Sequence, residues 1–162
     1  MLIRPARPEE YDELGELTVA AYVGGGHVAA DNAYVTQLRD AAGRARDALL
    51  LVAEDAGELV GTVTFCPAGS RWREVATETE GEFRTLAVAP GAQGRGVGEA
   101  LVRACVERSA ALGCTAVVLC TLPDQTPAHR LYERLGFRRL PERDWSPAPG
   151  VDLLAYRLPH LP

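Results

Sequence analysis

Leu86-Ala87-Val88-Ala89-Pro90-Gly91-Ala92-Gln93-Gly94-Arg95-Gly96-Val97-Gly98-Glu99 decides how this 162-residue chain is read. An apolar run ends at a proline, glycines follow at positions 94, 96 and 98, and a segment with helical apolar spacing begins at once. The order is strand, glycine loop, helix N-terminus. Glycines let a backbone curl so that several N–H groups converge on one point. The first amides of a helix lack internal partners, and the helix dipole adds about half a positive charge there. Such a nest suits a phosphate or pyrophosphate, and Arg95 can add a delocalised cation. The same glycines would also serve a plain turn, so the loop alone leaves both readings open.

Two better-known phosphate motifs fail on inspection. A dinucleotide fingerprint G-x-G-x-x-G would need glycine at Glu99 or at Leu101. A Walker P-loop needs lysine, and all 17 basic residues are arginine. The absence of lysine also removes Schiff-base and pyridoxal chemistry. What remains is Q-x-x-G-x-G.

Composition narrows the class. A chain of this length buries roughly 70% of its unfolded surface, enough for one domain with a real core. Its 47% hydrophobic and 24% charged residues are those of a soluble globular domain. A formal charge of −5 has the wrong sign for general nucleic-acid binding. No apolar run reaches the ~18–20 residues of a membrane span, and residues 1–7 lack a leader's apolar stretch, so the expectation is a cytosolic protein without nucleic-acid or membrane partners. Cys66, Cys105, Cys114 and Cys120 lack C-x-x-C spacing, and His27, His129 and His160 are scattered. No metal site is expected.

Working outward from the loop, Leu2–Arg4 predicts a strand, and Pro8 opens a helix that runs to about Tyr22 before the glycines at 24–26. A second helix is expected over Asn32–Ala41, and residues 48–54 and 59–65 form a hairpin. The polar stretch 67–81 is a long loop, with the next strand over 82–88. Strict alternation would put Glu82, Arg84, Leu86 and Val88 on one face and Phe83, Thr85 and Ala87 on the other. After the glycines, Leu101, Ala104, Cys105 and Leu112 mark a helix's apolar face, opposite a charged stripe of Glu99, Arg103 and Glu107. Thr115–Leu122 is apolar on both faces, as a central strand should be. A helix from about Pro127 to Leu135 is followed by strands over 137–140 and 151–158, joined by a proline-rich loop around Trp145–Gly150. The pattern β-α-α-β-β-β-α-β-α-β-β is a mixed sheet with helices on its faces.

At this point the chain resembles a family. Leu86 to Pro90 with Gln93 to Gly98 is similar to the acetyl-CoA motif [Q/R]-x-x-G-x-[G/A] of the GCN5-related N-acetyltransferases (GNAT). Ala128-His129-Arg130-Leu131-Tyr132-Glu133-Arg134-Leu135-Gly136-Phe137 resembles that family's second hallmark, A-x-x-L-Y-x-x-x-G-F, at the matching distance. Ile3 to Ala6 and the hairpin 51–65 are similar to the family's opening elements. The resemblance implies an α/β (α+β) GNAT fold in one domain over 1–162, a mixed, mostly antiparallel central sheet of about seven strands flanked by about four helices.

It also implies the chemistry. Acetyl-CoA is the expected cosubstrate and an amine the acceptor, with direct transfer in a ternary complex. The pyrophosphate would lie on the amides of Gly94, Arg95, Gly96, Val97, Gly98 and Glu99, beside Gln93. The pantetheine arm would pair with Leu86, Ala87 and Val88, where the family has a bulge. Ala128 belongs to the second hallmark. Gln125 stands where many members carry asparagine three residues before that alanine, so this one contact departs from the pattern. Tyr132 falls where the family places its general acid; read as a residue alone, it is equally a packed helix tyrosine. Glu82, four residues before Leu86, matches a position that several members use as base, and Arg84 beside it could meet Glu82 or an anionic acceptor group. The acceptor site is expected from the first two helices with the Gly24–Gly26 loop, from 67–81 and from the Trp145 loop, with Tyr22, Tyr34, Trp72 and Trp145 as its aromatic residues. Dimers are common in the family, which leaves a homodimer open. The alternative from another class is a non-catalytic acyl-CoA-binding module on the same fold.

Overall fold

The computed structural model describes residues 1–160. In chain order it forms β1 (Leu2–Pro5), α1 (Tyr11–Gly24), α2 (Tyr34–Arg39), α3 (Ala41–Asp47), β2 (Leu49–Asp55), β3 (Glu58–Cys66), β4 (Glu80–Val88), α4 (Val97–Ala111), β5 (Ala116–Thr121), α5 (Thr126–Arg134), β6 (Arg138–Arg139), β7 (Trp145–Ala148) and β8 (Val151–Pro159). The sheet order is β1-β2-β3-β4-β5-β8-β6, with β7 also on β8. Only β4 and β5 run parallel; every other neighbouring pair is antiparallel.

Alternation along β2 shows why both faces are covered. Leu50 and Val52 pack with Leu14 of α1 and Ala41 of α3, whereas Leu51 and Ala53 join Leu101, Val102 and Cys105 of α4 on the other side. Helices α1 to α3 therefore cover one face. The α4 side also takes Tyr132 of α5, with Val117 and Leu119 of β5. As its apolar run requires, β5 lies inside the sheet, between β4 and β8.

Several expectations need correction. The second helix is two, because Asp40 leaves the helical region (φ −81°, ψ 66°) and its carboxylate accepts the Gly43 amide at 2.9 Å, capping α3. Aspartate is a better N-cap than helix interior. Part of the proline-rich loop is strand β7, whose Pro147 is tolerated because this edge strand pairs only with β8. Strand β4 starts at Glu80, two residues early, and Leu112 stands 56% exposed past the end of α4 rather than on its apolar face. The mixed, mostly antiparallel sheet flanked by helices is as expected, with eight strands and five α-helices among the described residues. Among the described residues no helix is long and apolar enough to cross a membrane.

Candidate active site

The site begins where the sheet opens. Strand β4 pairs with β5 only from Glu80↔Ala116 to Phe83↔Leu119. On its other side the register runs Thr64↔Arg84 and then Thr62↔Ala87, so Val63 opposes two residues, Thr85 and Leu86. This is a bulge, and Thr85 adopts φ +56°, an outlying conformation for a β-branched residue. The bulge inverts the alternation. Phe83 and Val88 both join the α4 side, while Glu82 and Arg84 share the opposite face with Ala87, against the single face read for Glu82, Arg84, Leu86 and Val88. Past Phe83 the two strands part, and a cleft of about 620 Å³ opens between them.

Leu86, Ala87, Val88, Gln93, Gly94, Val97, Gly98, Gln125 and Ala128 all line this cleft. Gly94 (φ +76°) and Gly96 (φ +80°) curl the loop into α4 in the left-handed region that glycine alone enters freely. Ala100 is the first residue here whose amide reaches a backbone carbonyl within the turn, that of Gly96 at 3.0 Å. The preceding amides form the open N-terminus of a 15-residue helix. The side chains of Arg95 and Glu99 lie elsewhere. Arg95 pairs with Asp55, and Glu99 accepts from Arg103 at 2.9 Å and Arg134 at 2.8 Å, which holds its carboxyl below the usual range.

Opposite the glycine loop, Gln125 precedes α5. Its Oε1 accepts from the Thr121 hydroxyl and the Leu122 amide, both at 3.0 Å, so the carbonyl end braces the turn and the NH₂ end is left to donate. Two turns on, Tyr132 is 4% exposed, its ring centroid 6.0 Å from Phe83, 5.9 Å from Phe137 and 5.8 Å from Tyr156. It borders a second, smaller cavity of about 40 Å³ that shares Tyr22, Leu86, Gln125 and Ala128 with the first. Burial pushes the phenol well above its ordinary value, so it keeps its proton.

The small cavity passes through the split in the sheet. Phe83 and Tyr132 border it from the α4 side, and Arg84 from the α1 side along with Tyr22 and Cys120. Glu82 is wholly buried beneath a loop that its own carboxylate organises. Oε2 accepts the amides of Glu74 at 3.0 Å, Val75 at 3.2 Å and Ala76 at 3.0 Å; Oε1 has only a 3.1 Å contact with the Glu74 amide. Burial pushes this carboxyl up against the opposing pull of those amides. Arg84 donates to the Trp72 carbonyl at 3.2 Å and lies 3.9 Å from the Glu74 carboxylate. Glu80 anchors the same loop from below, accepting from Arg143 at 2.6 Å and Arg157 at 3.2 Å. Burial raises the Glu80 carboxyl, but its bonds to Arg143, Thr77 and Arg157 outweigh this and hold it below the usual range.

Of the expected aromatic residues, Tyr22 lines both cavities and Trp72 stacks on Arg84 at 5.7 Å, whereas Trp145 stands 38% exposed on β7 and lines neither cavity. Sequence reasoning missed Arg44, Glu74, Asp124 and Leu131, and it left Cys120 as an unplaced thiol. Leu131 was within reach, one residue before Tyr132 in a recognised motif. His27 and Asp124 meet at 3.3 Å across the cleft wall, a pairing that no local spacing announces. Among the described residues no three potential metal ligands cluster.

A profile of the Acetyltransferase (GNAT) family matches residues 11–137. A mycothiol acetyltransferase of Pseudarthrobacter chlorophenolicus is 51% identical over 59 residues, 36% of this chain and 18% of that protein. The chain thus spans under a fifth of that relative's length. Among solved structures, a ribosomal-protein-alanine N-acetyltransferase from Brucella melitensis superposes with a TM-score of 0.72 at 21% identity, over 99% of this chain and 100% of that one. A GNAT family acetyltransferase of the same organism, solved with acetyl-CoA, is 28% identical with a TM-score of 0.63, covering 99% of this chain and 90% of the other.

Proposed function

The chain belongs to the acetyltransferase (GNAT) family, and we propose that it is an acetyl-CoA-dependent N-acetyltransferase that passes the acetyl group directly to a primary amine in a ternary complex. One observation carries this reading: the unpaired edge of β4 beyond its bulge lies beside the open N-terminus of α4, in one cleft. The donor is a diphosphate joined to an amide-bearing arm. Amides at residues 94–99 fit the diphosphate, and the free backbone of Leu86 to Val88 fits the arm as a neighbouring strand would. A backbone N–H on this edge can also steady the thioester oxyanion.

The through-sheet cavity supports direct transfer. A donor held on the loop side and an amine entering beside Arg84 would meet at Leu86 without an enzyme-bound intermediate. Cysteine offers no such intermediate, since burial pushes the thiols of Cys66 and Cys120 up to about 12. Tyr132, which keeps its proton, is assigned as the acid that protonates the departing thiolate. Glu82 is assigned as the base. Wholly buried and lining neither cavity, it would act through a water reaching Oε1, which makes a single contact, and burial holds its carboxyl above the usual range. A binding-only module would need neither group.

The test is thiol release from acetyl-CoA across a broad amine panel, alongside calorimetric titration of acetyl-CoA. Tight binding with acceptor-dependent release is the expected result. Binding without release from any amine would leave the binding-only alternative standing.

A further inference from the structure

Three buried N–H donors on the acceptor side lack any partner: Nε of Arg84, Nε of Arg44 and Nε1 of Trp72. Native proteins rarely leave such groups unmade. Arg44 is 4% exposed and donates only to the Gln37 carbonyl, at 2.6 Å. Burial pushes this guanidinium below its ordinary value, and the Arg84 charge adds to that. The nearest counter-charge to Arg84 is Glu74 at 3.9 Å, beyond hydrogen-bond range, and both oxygens of Glu82 are engaged by loop amides. The Arg84 guanidinium therefore faces the small cavity with little to neutralise it. A planar fork of donors matches a carboxylate, and a dianion would be opposed by Glu74 and Glu82.

We infer that the acceptor is an amino-carboxylate, its carboxylate held by Arg84 and its amine delivered to the thioester at Leu86. This rests on the N-acetyltransferase reading above. Arg84 and Leu86 flank the bulge at Thr85 and line the same small cavity, so the carboxylate and the amine of one short molecule would both lie within it. The small cavity of about 40 Å³ has room for the carboxylate end, and it shares Leu86 with the larger cleft.

The experiment compares the twenty common α-amino acids, β-alanine and γ-aminobutyrate with their carboxamides and decarboxylated amines, reading thiol release at saturating acetyl-CoA. At least one acid is expected to exceed its carboxamide about a hundredfold in kcat/KM. Arg84→Gln should collapse that ratio about tenfold or more by raising KM, without changing acetyl-CoA affinity, and Arg84→Lys should restore part of it. Carboxamides turned over as well as acids, or an Arg84→Gln loss equal for both, would overturn the inference while leaving acetyl transfer intact. If no acceptor releases thiol, the transfer reading falls, and calorimetry of the N-acetylated amino acids on the CoA complex then decides. Binding weakened by Arg84→Gln upholds the carboxylate site; no binding overturns it.

Discussion

The two sides of the cleft are built from different materials. On the proposed donor side the groups on offer are main chain: left-handed Gly94 and Gly96, the first amides of α4, and the strand edge freed by the bulge at Thr85. On the proposed acceptor side they are side chains of α1, the 67–79 loop and β4, where Tyr22 and Arg84 border the small cavity and Glu74 lies 3.9 Å from Arg84. A backbone site constrains few residues but constrains them absolutely, because only glycine reaches those torsions freely. A side-chain site can change its chemistry by one substitution while the scaffold stays put.

The largest effect should come from breaking the donor side at its torsions. Gly94→Val with Gly96→Val is expected to weaken acetyl-CoA binding about a thousandfold, roughly 4 kcal/mol by calorimetry, because two β-branched residues cannot hold the left-handed turn. Arg95→Gln in the same loop should change it less than about threefold, since that guanidinium is engaged with Asp55. Next comes the group between the two sides. Tyr132→Phe is expected to lower kcat by two to three orders of magnitude with acetyl-CoA affinity unchanged; an unaltered rate would take the acid role from it.

The acceptor side differs again because carboxylates organise it, and so pH reaches it first. Glu82 titrates above 4.5 in the folded protein. The acid limb of kcat/KM should therefore have its midpoint above pH 4.5, and Glu82→Gln should flatten that limb while costing roughly fiftyfold at neutral pH. A raised carboxyl also disfavours its own ionisation in the fold, so stability should decline as pH rises from 4.5 through the folded value, a slope absent in Glu82→Gln. Glu80 has the opposite sign. Its folded value is lowered, so its contribution is present above 4.5 and lost as pH falls. Arg143→Met is the smallest perturbation, lowering the melting temperature by about 2–4 °C at neutral pH, with the deficit narrowing below pH 4.5. A rise in acceptor KM without a change in acetyl-CoA affinity would sharpen the contrast; equal changes in both would dissolve it.

The same contrast sets what could be read in advance. The donor side is written locally, in glycines and a helix start within fourteen residues, and of the cofactor positions expected there only Arg95, Gly96 and Glu99 do not line the cleft. Secondary structure was legible where apolar spacing was long and uniform, as in α4 and β5. It failed where a cap or an edge decided, at Asp40 and at Pro147. The face of Leu86 and Val88 was misjudged because alternation assumes an unbroken pleat, and Thr85 at positive φ is not a residue that advertises a bulge. The acceptor side was least legible. Glu74 reaches Arg84 only because the Glu82 carboxylate holds the amides of residues 74–76, and no local spacing announces that bracket.

Every cationic side chain that braces this structure, from Arg95 at the hairpin tip to Arg143 under the loop, is a guanidinium. Such groups stay protonated at any physiological pH and are poor nucleophiles, unlike lysine's ε-amine. If the proposed donor is a reactive thioester, the ion pairs that hold the pocket in shape offer it no side-chain amine to acylate, and they keep their charge in its presence.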